Sequence, residues 1–450
     1  MDKTLLIKNI RHIVTCDDKD TILENINLYI RDGVIVSIGH EEPEADRVID
    51  GSDLAVYPGL INTHHHLYQI LTRNLPQVQN LELFDWLTKL YQIWKNLTTD
   101  AIFDSSTAGL GELAKFGCTT VFDHHYVFPK ESNDFLSAQF EAAEKLGVRM
   151  AVSRGSMDLS EKDGGLPPDS VVQTIDEILK SSEIAVNQFH DPKKYSMRQV
   201  VLAPCSPFSV TGDLMKESAK LARNLGVRLH THLAETRDEE SYLKEKLGIR
   251  PLEYMERLGW IGSDVWFAHG IHFNTEELRH LAATGTGVAH CPASNMKLSS
   301  GVARIPEMLA LGVPVGLAVD GSASNDGSSL MEEMRIAYLL HRLTSGDKAP
   351  GGYDILKIAT KGSARLLGRP ELGHIAPGMA ADLFAVKESR LEFAGATFDV
   401  SSMLSTVGIK APVDYTVVAG KVIVDRGILV GVDEEAFTRR IAMHSKRMMQ

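Results

Sequence analysis

Three histidines and an aspartate, drawn from three distant parts of the chain, have the side-chain types of a metal site. His64 and His66 are separated by one residue, so on a β-strand both side chains point to the same side, about 6.6 Å apart. Imidazoles at this spacing can converge on one cation, and His232 and Asp320 can complete the coordination. This ligand set suits one divalent ion, most simply zinc, with iron as the alternative. A polar turn of histidines and an Asp-Gly turn are the other interpretations.

Two further side chains could carry out acid–base chemistry beside that ion. A metal-bound water has its pKa lowered to about 7, which makes hydroxide available for attack at neutral pH. Hydrolytic removal of an amino group also needs a proton shuttle, which typically contributes about 10²–10⁴-fold. Glu235, three residues after His232, is placed for that role, and His269 could orient the water or stabilise the attacked ring. A solvated loop charge and a buried core histidine are the alternatives.

Eight apolar, β-rich runs must position these residues, and each run ends in a polar or reactive side chain. The runs are AVYPGLINTHHH (55–66), CTTVFDHH (118–125), VRMAVSRG (148–155), RQVVLAPC (198–205), VRLHTHLA (227–234), DVWFAHG (264–270), GTGVAHC (285–291) and PVGLAVDG (314–321). Because helical stretches separate them, they predict an α/β fold with a (β/α)8 TIM-type barrel, a doubly wound open sheet being the alternative. Active sites of such barrels form at the carboxyl ends of the strands.

The two ends of the chain have a different pattern. Residues 4–57 and 381–430 contain short β-rich runs such as LLIKNI and KVIVD. Each segment is too small to form a good core alone. We therefore expect them to pack together as a smaller composite β domain, which divides the chain into 1–57, 58–366 and 367–450.

The composition narrows the class of protein and its partners. Of the 450 residues, 44% are hydrophobic and 24% are charged, as in ordinary globular proteins. No apolar run reaches the roughly 20 residues that cross a bilayer, and the start lacks a signal-peptide pattern, which favours the cytoplasm. The net charge of −12 disfavours nucleic acid, and four separated cysteines are expected to be free thiols. A small-molecule substrate, with no nucleic acid and no membrane, is expected.

The motifs around these residues resemble the amidohydrolase superfamily along nearly the whole chain. The resemblance lies in PGLINTHHH, HLAET, AHGIH, HCPASN, VDGSASND and GHIAPGMAADL, and it favours the branch of purine, pterin and triazine aminohydrolases. It implies that four side chains bind one metal ion: His64, His66, His232 and Asp320. It also implies that Glu235 is the proton shuttle, that His269 is catalytic, and that Asp320 shares the proton of the metal-bound water. Strand four ends in VVLAPCS without a lysine, unlike the branch with two metals and a carbamylated lysine.

The same resemblance implies an oxidised purine as substrate. THHHLYQ, DHHYVFP, SRGSMDLS with GGLPP, and APCSPFSV look like bacterial 8-oxoguanine deaminases. These enzymes of purine metabolism convert 8-oxoguanine and water to urate and ammonia by attack of a metal-bound hydroxide. Gln69, Cys205 and Glu235 would contact the substrate, although Cys205 could also be simply a small buried residue. Isoxanthopterin, guanine or hydroxytriazine substrates, and a metal-binding protein without activity, remain alternatives. A homo-oligomer is also implied.

Overall fold

The computed structural model describes residues 3–129 and 134–450. Residues 1–2 of the predicted segment 1–57 and residues 130–133 of the predicted segment 58–366 lie outside the described residues. In chain order, the strands are β1 (Thr4–Val14), β2 (Ile22–Arg31), β3 (Val34–Gly39), β4 (Arg47–Asp50), β5 (Leu54–Pro58), β6 (Leu60–Asn62), β7 (His65–His66), β8 (Cys118–Asp123), β9 (Arg149–Ser156), β10 (Arg198–Pro204), β11 (Leu229–Leu233), β12 (Val265–His269), β13 (Gly287–His290), β14 (Val315–Leu317), β15 (Asp320–Gly321), β16 (Leu383–Lys387), β17 (Tyr415–Val418), β18 (Lys421–Asp425) and β19 (Ile428–Leu429).

Helices alternate with the central strands. They are α1 (Leu83–Trp94), α2 (Thr99–Lys115), α3 (Phe135–Leu146), α4 (Ile175–Phe189), α5 (Gly212–Leu225), α6 (Arg237–Leu247), α7 (Pro251–Arg257), α8 (Thr275–Thr284), α9 (Pro292–Lys297), α10 (Ile305–Leu311), α11 (Ser322–Asn325), α12 (Leu330–Ser345), α13 (Gly352–Lys357), α14 (Ser363–Leu366), α15 (Met403–Thr406) and α16 (Glu434–Met448). Local signals set their ends. The Thr211 side chain accepts a hydrogen bond from the Leu214 amide at the start of α5, and Gly226 ends that helix with a left-handed backbone (φ +69°).

The central strands form a nearly closed parallel barrel. Its strand order is β14-β13-β12-β11-β10-β9-β8-β6, and the Thr63 amide donates to the Leu317 carbonyl at 3.2 Å where the first and last strands meet. Strands β7 and β15 extend this closure, pairing Asp320 with His65. The predicted TIM-type barrel is therefore confirmed, and the ends of its first and eighth strands are neighbours.

Strands from both ends of the chain form the second sheet. Its order is β19-β18-β17-β16-β5-β1-β2-β3, with β4 also paired to β1. The joint between the two terminal segments is β5, which is parallel to β1 and antiparallel to β16. Ile13, Val56, Leu383 and Val417 meet in one buried apolar cluster. The expected composite β domain is confirmed, while the exact division into 1–57, 58–366 and 367–450 stays a prediction.

The run 55–66, predicted as a single barrel strand, is divided in the structure. Residues 54–58 belong to the composite sheet, and the barrel strand begins only at Leu60. Gly59 lies at the break, where a Cβ atom would be 2.1 Å from the Thr119 hydroxyl oxygen. The sequence predicts a single strand because both halves are apolar. The pairing with β16 on one side of Gly59 and with β8 on the other shows that the halves belong to different sheets.

A buried ion pair joins the barrel to the composite sheet. Arg149, at the start of β9, donates from Nε and Nη2 to the two carboxylate oxygens of Asp382, both at 2.8 Å. Its Nη1 donates to the carbonyl oxygens of Tyr195 and Ser196. Asp382 also accepts from the Ala419 amide at 2.9 Å. Because every charged atom of the pair has a partner, the pair is a satisfied structural contact rather than a candidate site.

Two simpler expectations can also be compared with the structure. The four cysteines are buried free thiols, as predicted. Within residues 3–129 and 134–450, the structure has no helix with the length and apolarity of a membrane span.

Candidate active site

Four of the predicted residues converge at the carboxyl end of the barrel. The Nε2 atoms of His66 and His232 are 3.2 Å apart. Oδ1 of Asp320 lies 3.3 Å from Nε2 of His64 and 3.3 Å from Nε2 of His66. All four side chains are buried. The alternation predicted for the histidines also holds, because His65 points away and contacts the Ser328 hydroxyl at 3.0 Å.

The hydrogen bonds around these histidines leave their Nε2 atoms as acceptors. Nδ1 of His66 donates to the His124 carbonyl at 2.7 Å, and Nδ1 of His232 donates to the Cys205 carbonyl at 2.6 Å. Burial, reinforced by the neighbouring histidines, holds the pKa of both rings well below the ordinary value, so both are neutral. Each Nε2 atom therefore presents a lone pair, and the two lone pairs face each other.

A cation at this point would resolve the conflict among these acceptors. Among the described residues, none donates a hydrogen bond to Nε2 of His64, and the Asp320 carboxylate is also an acceptor. Buried polar atoms without partners are rare in folded proteins. Three imidazole lone pairs and a carboxylate oxygen form a donor set that suits zinc or iron. The residues present therefore fit a divalent metal ion.

Hydrogen bonds from two residues hold the Asp320 carboxylate in place, and the sequence analysis predicted neither of them. The Ser294 hydroxyl donates to Oδ2 at 2.5 Å, and the Gly321 amide donates to Oδ1 at 2.6 Å. Asp320 also has a left-handed backbone, with φ +61°, as does His269 with φ +72°. Such conformations cost about 1–3 kcal/mol in residues other than glycine and are concentrated at functional sites.

Glu235 and His269 lie beside the cluster of acceptors. Oε2 of Glu235 is 3.4 Å from Nε2 of His269, which is 4.0 Å from Oδ2 of Asp320. Nδ1 of His269 donates to the Asn295 side-chain oxygen at 2.9 Å, which directs Nε2 towards the two carboxylates. Burial is the main cause that raises the pKa of Glu235 to about 7. Glu235 is therefore poised to gain and lose a proton near neutral pH.

The loop that carries Glu235 is held by a second carboxylate. Glu239, at the start of α6, accepts from the Ala234 amide at 2.9 Å and from the Glu235 amide at 3.3 Å. Ala234 has a positive φ of +55°. Glu239 thus stabilises a bend that turns Glu235 towards His269. In the sequence, the acidic helix start after HLAET was the only signal for this role.

A small cavity of about 30 Å³ lies against the cluster, which is room for about one water molecule. Apolar side chains form one part of its wall: Leu83, Trp86, Leu87, Phe208 and Leu298. Gln69, Tyr126, Cys205 and Ser324 supply polar groups near the cluster. A planar heterocycle would need the apolar wall to move outwards.

Gln69 and Cys205, the two predicted substrate contacts, both line this cavity. Gln69 lies in a 3-10 turn, Leu67–Thr72, and its side-chain oxygen accepts from the Ala323 amide at 3.3 Å. A Cβ atom at Gly321 would be 1.9 Å from that oxygen, so glycine leaves room for the amide. Burial raises the pKa of the Cys205 thiol to about 12, so Cys205 offers a neutral contact.

Two of the polar strand ends do not join the site. One is Arg154 of the run VRMAVSRG, whose guanidinium donates to the side chains of Gln173 and Ser181. His290 ends β13, but its Nε2 lies 3.1 Å from Nε2 of His341 on α12, so it contacts the helix layer. In contrast, Ser294 and Asn295 contact Asp320 and His269. These two residues of the HCPASN motif were missed as individual contacts because their partners are distant in the sequence.

Comparisons with known proteins agree with this geometry. A model of the amidohydrolase family matches residues 55–423. The chain is 45% identical over 418 residues to an 8-oxoguanine deaminase from Pseudomonas aeruginosa, covering 92% of each chain. It is 41% identical over 453 residues to hydroxydechloroatrazine ethylaminohydrolase from Pseudomonas sp. strain ADP, covering 97% of this chain and 94% of that one. The crystal structure of an atrazine chlorohydrolase from Arthrobacter aurescens TC1 complexed with zinc matches with a TM-score of 0.94 and 32% identity, covering 98% and 100% of the two chains.

Proposed function

The chain belongs to the amidohydrolase family, and from this premise we propose that it deaminates 8-oxoguanine to urate, releasing ammonia. The broader activity is that of an amidohydrolase-type, metal-dependent deaminase. The observation that carries the proposal is the cluster of buried acceptors beside Glu235. A protein that only stored metal would not need a carboxyl group whose pKa burial raises to about 7.

In this proposal each polar group has a stated task. His64, His66, His232 and Asp320 would hold one divalent ion, zinc or else iron. When bound, such an ion supplies Lewis acidity and lowers the pKa of water.

Glu235 would donate a proton to the ring nitrogen next to the carbon that bears the amino group, as water adds to that carbon. The proton that the water loses on addition restores the Glu235 carboxyl group, with Asp320 sharing it on the way. Glu235 then delivers this proton to the departing amino group and takes up the proton of the added hydroxyl group, so the products are a ring carbonyl and ammonia. His269 Nε2, fixed by Asn295 through Nδ1, and Asp320 would orient the water.

The choice of 8-oxoguanine rests on the chain's own pocket and on its relatives. Gln69 can donate to and accept from the edge of a purine, and the neutral Cys205 thiol can contact its imidazole side without imposing a charge. The 45% identity to an 8-oxoguanine deaminase supports the same substrate. Isoxanthopterin, guanine and hydroxytriazines remain the competing substrates, because a relative at 41% identity acts on hydroxydechloroatrazine.

A parallel assay of the purified zinc-loaded and iron-loaded protein tests the substrate. Ammonia release is followed with 8-oxoguanine, guanine and isoxanthopterin, and ethylamine release with hydroxydechloroatrazine. We expect kcat/KM to be highest for 8-oxoguanine by at least about tenfold, which corresponds to about 1.4 kcal/mol. Higher kcat/KM with another compound would reassign the substrate and keep the deaminase. Release of neither ammonia nor ethylamine from any compound would favour the metal-binding alternative.

Three further expectations stay predictions. Elemental analysis should find one divalent ion per chain, and two tightly bound ions would contradict the single-site interpretation. Light scattering coupled to size exclusion should show a homo-oligomer. Fractionation of the source cells should place the protein in the cytoplasm.

A further inference from the structure

We infer that His230 is a positioning residue that holds His64 in the tautomer able to bind the metal ion. This inference rests on the metal centre of the proposed function and assigns a task to a residue that contributes no ligand atom. His230 lies on β11, two residues before His232, inside the barrel. It is completely buried.

A short hydrogen-bond chain connects His64 to the backbone through His230. Nδ1 of His230 lies 2.9 Å from the Trp266 carbonyl oxygen, and its Nε2 lies 2.8 Å from Nδ1 of His64. A carbonyl oxygen can only accept, so Nδ1 of His230 must carry the hydrogen. Nε2 of the neutral ring is then an acceptor, and Nδ1 of His64 must donate to it. The lone pair of His64 is therefore left on Nε2, which faces Asp320 Oδ1 at 3.3 Å.

The other two histidines of the cluster do not depend on a side chain in this way. Backbone carbonyls receive the Nδ1 hydrogens of His66 and His232 directly. Only His64 meets a second imidazole at the same position. His64 is therefore the ligand whose tautomer can be changed by substituting a single side chain elsewhere in the barrel. Partners of this kind, which orient a metal-binding histidine through its other nitrogen, typically change metal affinity by about 10–100-fold.

Aromatic packing fixes the orientation of the His230 ring. The ring lies against Trp266, with centroids 4.6 Å apart, and against the edge of Phe122 at 4.8 Å. Because the ring is completely buried against these two apolar neighbours and the rings of His64 and His124, an added charge on it would be costly. The Trp266 indole also donates to the Thr63 carbonyl at 3.1 Å. Trp266 thus anchors both the residue before His64 and the residue that sets its tautomer.

The test compares two substitutions by Co²⁺ titration, with absorbance and chelator competition as readouts. His230→Leu removes both hydrogen-bonding functions. His230→Gln keeps one acceptor for His64 and one donor for the Trp266 carbonyl. We expect the Leu variant to bind Co²⁺ about 10–100-fold more weakly with an altered absorption spectrum, and the Gln variant to recover most of that affinity. His341→Leu is the matched control: it removes an equally buried histidine from the pair with His290, and it should leave Co²⁺ affinity unchanged.

Several results would overturn the inference. Parent-like affinity and spectrum in His230→Leu would do so, as would a folded His230→Gln variant that binds no better than His230→Leu. If the Leu variant does not fold, the inference is tested on the parent protein without metal. ¹⁵N-histidine spectra should then show the hydrogen of His64 on Nδ1. A hydrogen on Nε2 of His64 would overturn the inference. Failure of the parent itself to bind Co²⁺ would instead overturn the metal centre, and with it the inference.

Discussion

The two ends of the barrel differ in how their polar side chains are paired. At the amino end, an open pocket of about 910 Å³ lies beside α13 and β14. Three of the five cationic side chains on its wall, those of Lys357, Lys361 and Arg369, form ion pairs with acidic partners. Arg369 Nε is 2.6 Å from Glu371, and Lys357 Nζ is 3.3 Å from Asp20. At the carboxyl end the cavity is only about 30 Å³. Beside it, the hydrogen-bond acceptors of the proposed metal ligands face one another.

This difference shows that the chemistry of the wall identifies the site better than the size of the cavity. Paired charges at the amino end need no ligand, because their polar atoms are already satisfied. At the carboxyl end, Nε2 of His64 has no donor among the described residues, and Nε2 of His66 faces Nε2 of His232. A cation between these atoms would satisfy their lone pairs. The smaller cavity is therefore the active-site candidate, and substitutions at the two ends should have different consequences.

The largest effect is expected from removing one of the proposed ligands. In His66→Ala, metal content should fall below one ion per chain and ammonia release should fall to background, because the substitution removes one imidazole donor and leaves a gap in the coordination. Elemental analysis and the ammonia assay check this. His65→Gln is the control, since His65 points towards Ser328 and its loss should leave the metal in place. Full metal content in His66→Ala would remove His66 from the centre.

Removing the proton shuttle should affect turnover without affecting the metal. Glu235→Gln keeps the shape of the side chain but cannot exchange a proton, so kcat should fall by about 10²–10⁴-fold, with metal content unchanged. Glu245→Gln changes an exposed residue of α6 in the same way and should behave like the parent. A fully active Glu235→Gln enzyme would exclude Glu235 from proton transfer.

At the amino end, breaking the buried ion pair should affect stability alone. Arg149→Met leaves the Asp382 carboxylate buried without its partner, so the free energy of unfolding should fall by about 3–5 kcal/mol. Denaturant titration measures this, and kcat of the folded enzyme should be unchanged. Adding Asp382→Leu should restore part of the lost stability. An unchanged unfolding free energy would show that the pair does not tie the barrel to the composite sheet.

The smallest effect is expected at the wall of the amino-end pocket. Lys361 lines this pocket and pairs with the exposed Asp18, and exposed pairs contribute about 0–1 kcal/mol. Lys361→Ser should therefore shift the unfolding free energy by less than about 1 kcal/mol, with kcat/KM unchanged. A large loss of turnover in this variant would break the contrast between the two ends.

The sequence predicted the parts of the site that depend on strand periodicity. His64 and His66 face the same side because alternate residues of a strand do so, and His232 and Asp320 end strands of the same barrel. It did not predict the contacts made by Ser294, because hydrogen bonds between distant segments are set by packing rather than by local pattern.

The same limit applies to the ends of the chain. Helix α16 lies in the predicted segment 367–450, yet it contacts barrel helix α2, where Arg440 and His444 meet the buried Asp104. No periodicity in either helix encodes that pairing. The composite sheet itself was predictable, since neither terminal segment could bury its apolar face alone.

Anomalous diffraction from crystals of the metal-loaded protein, collected at the absorption edge of the bound metal, tests the central claim most directly. We predict a single strong peak per chain, about 2.0–2.2 Å from Nε2 of His64, His66 and His232 and from an oxygen of Asp320. A peak coordinated by other residues, or none at this position in protein that contains metal, would contradict the account.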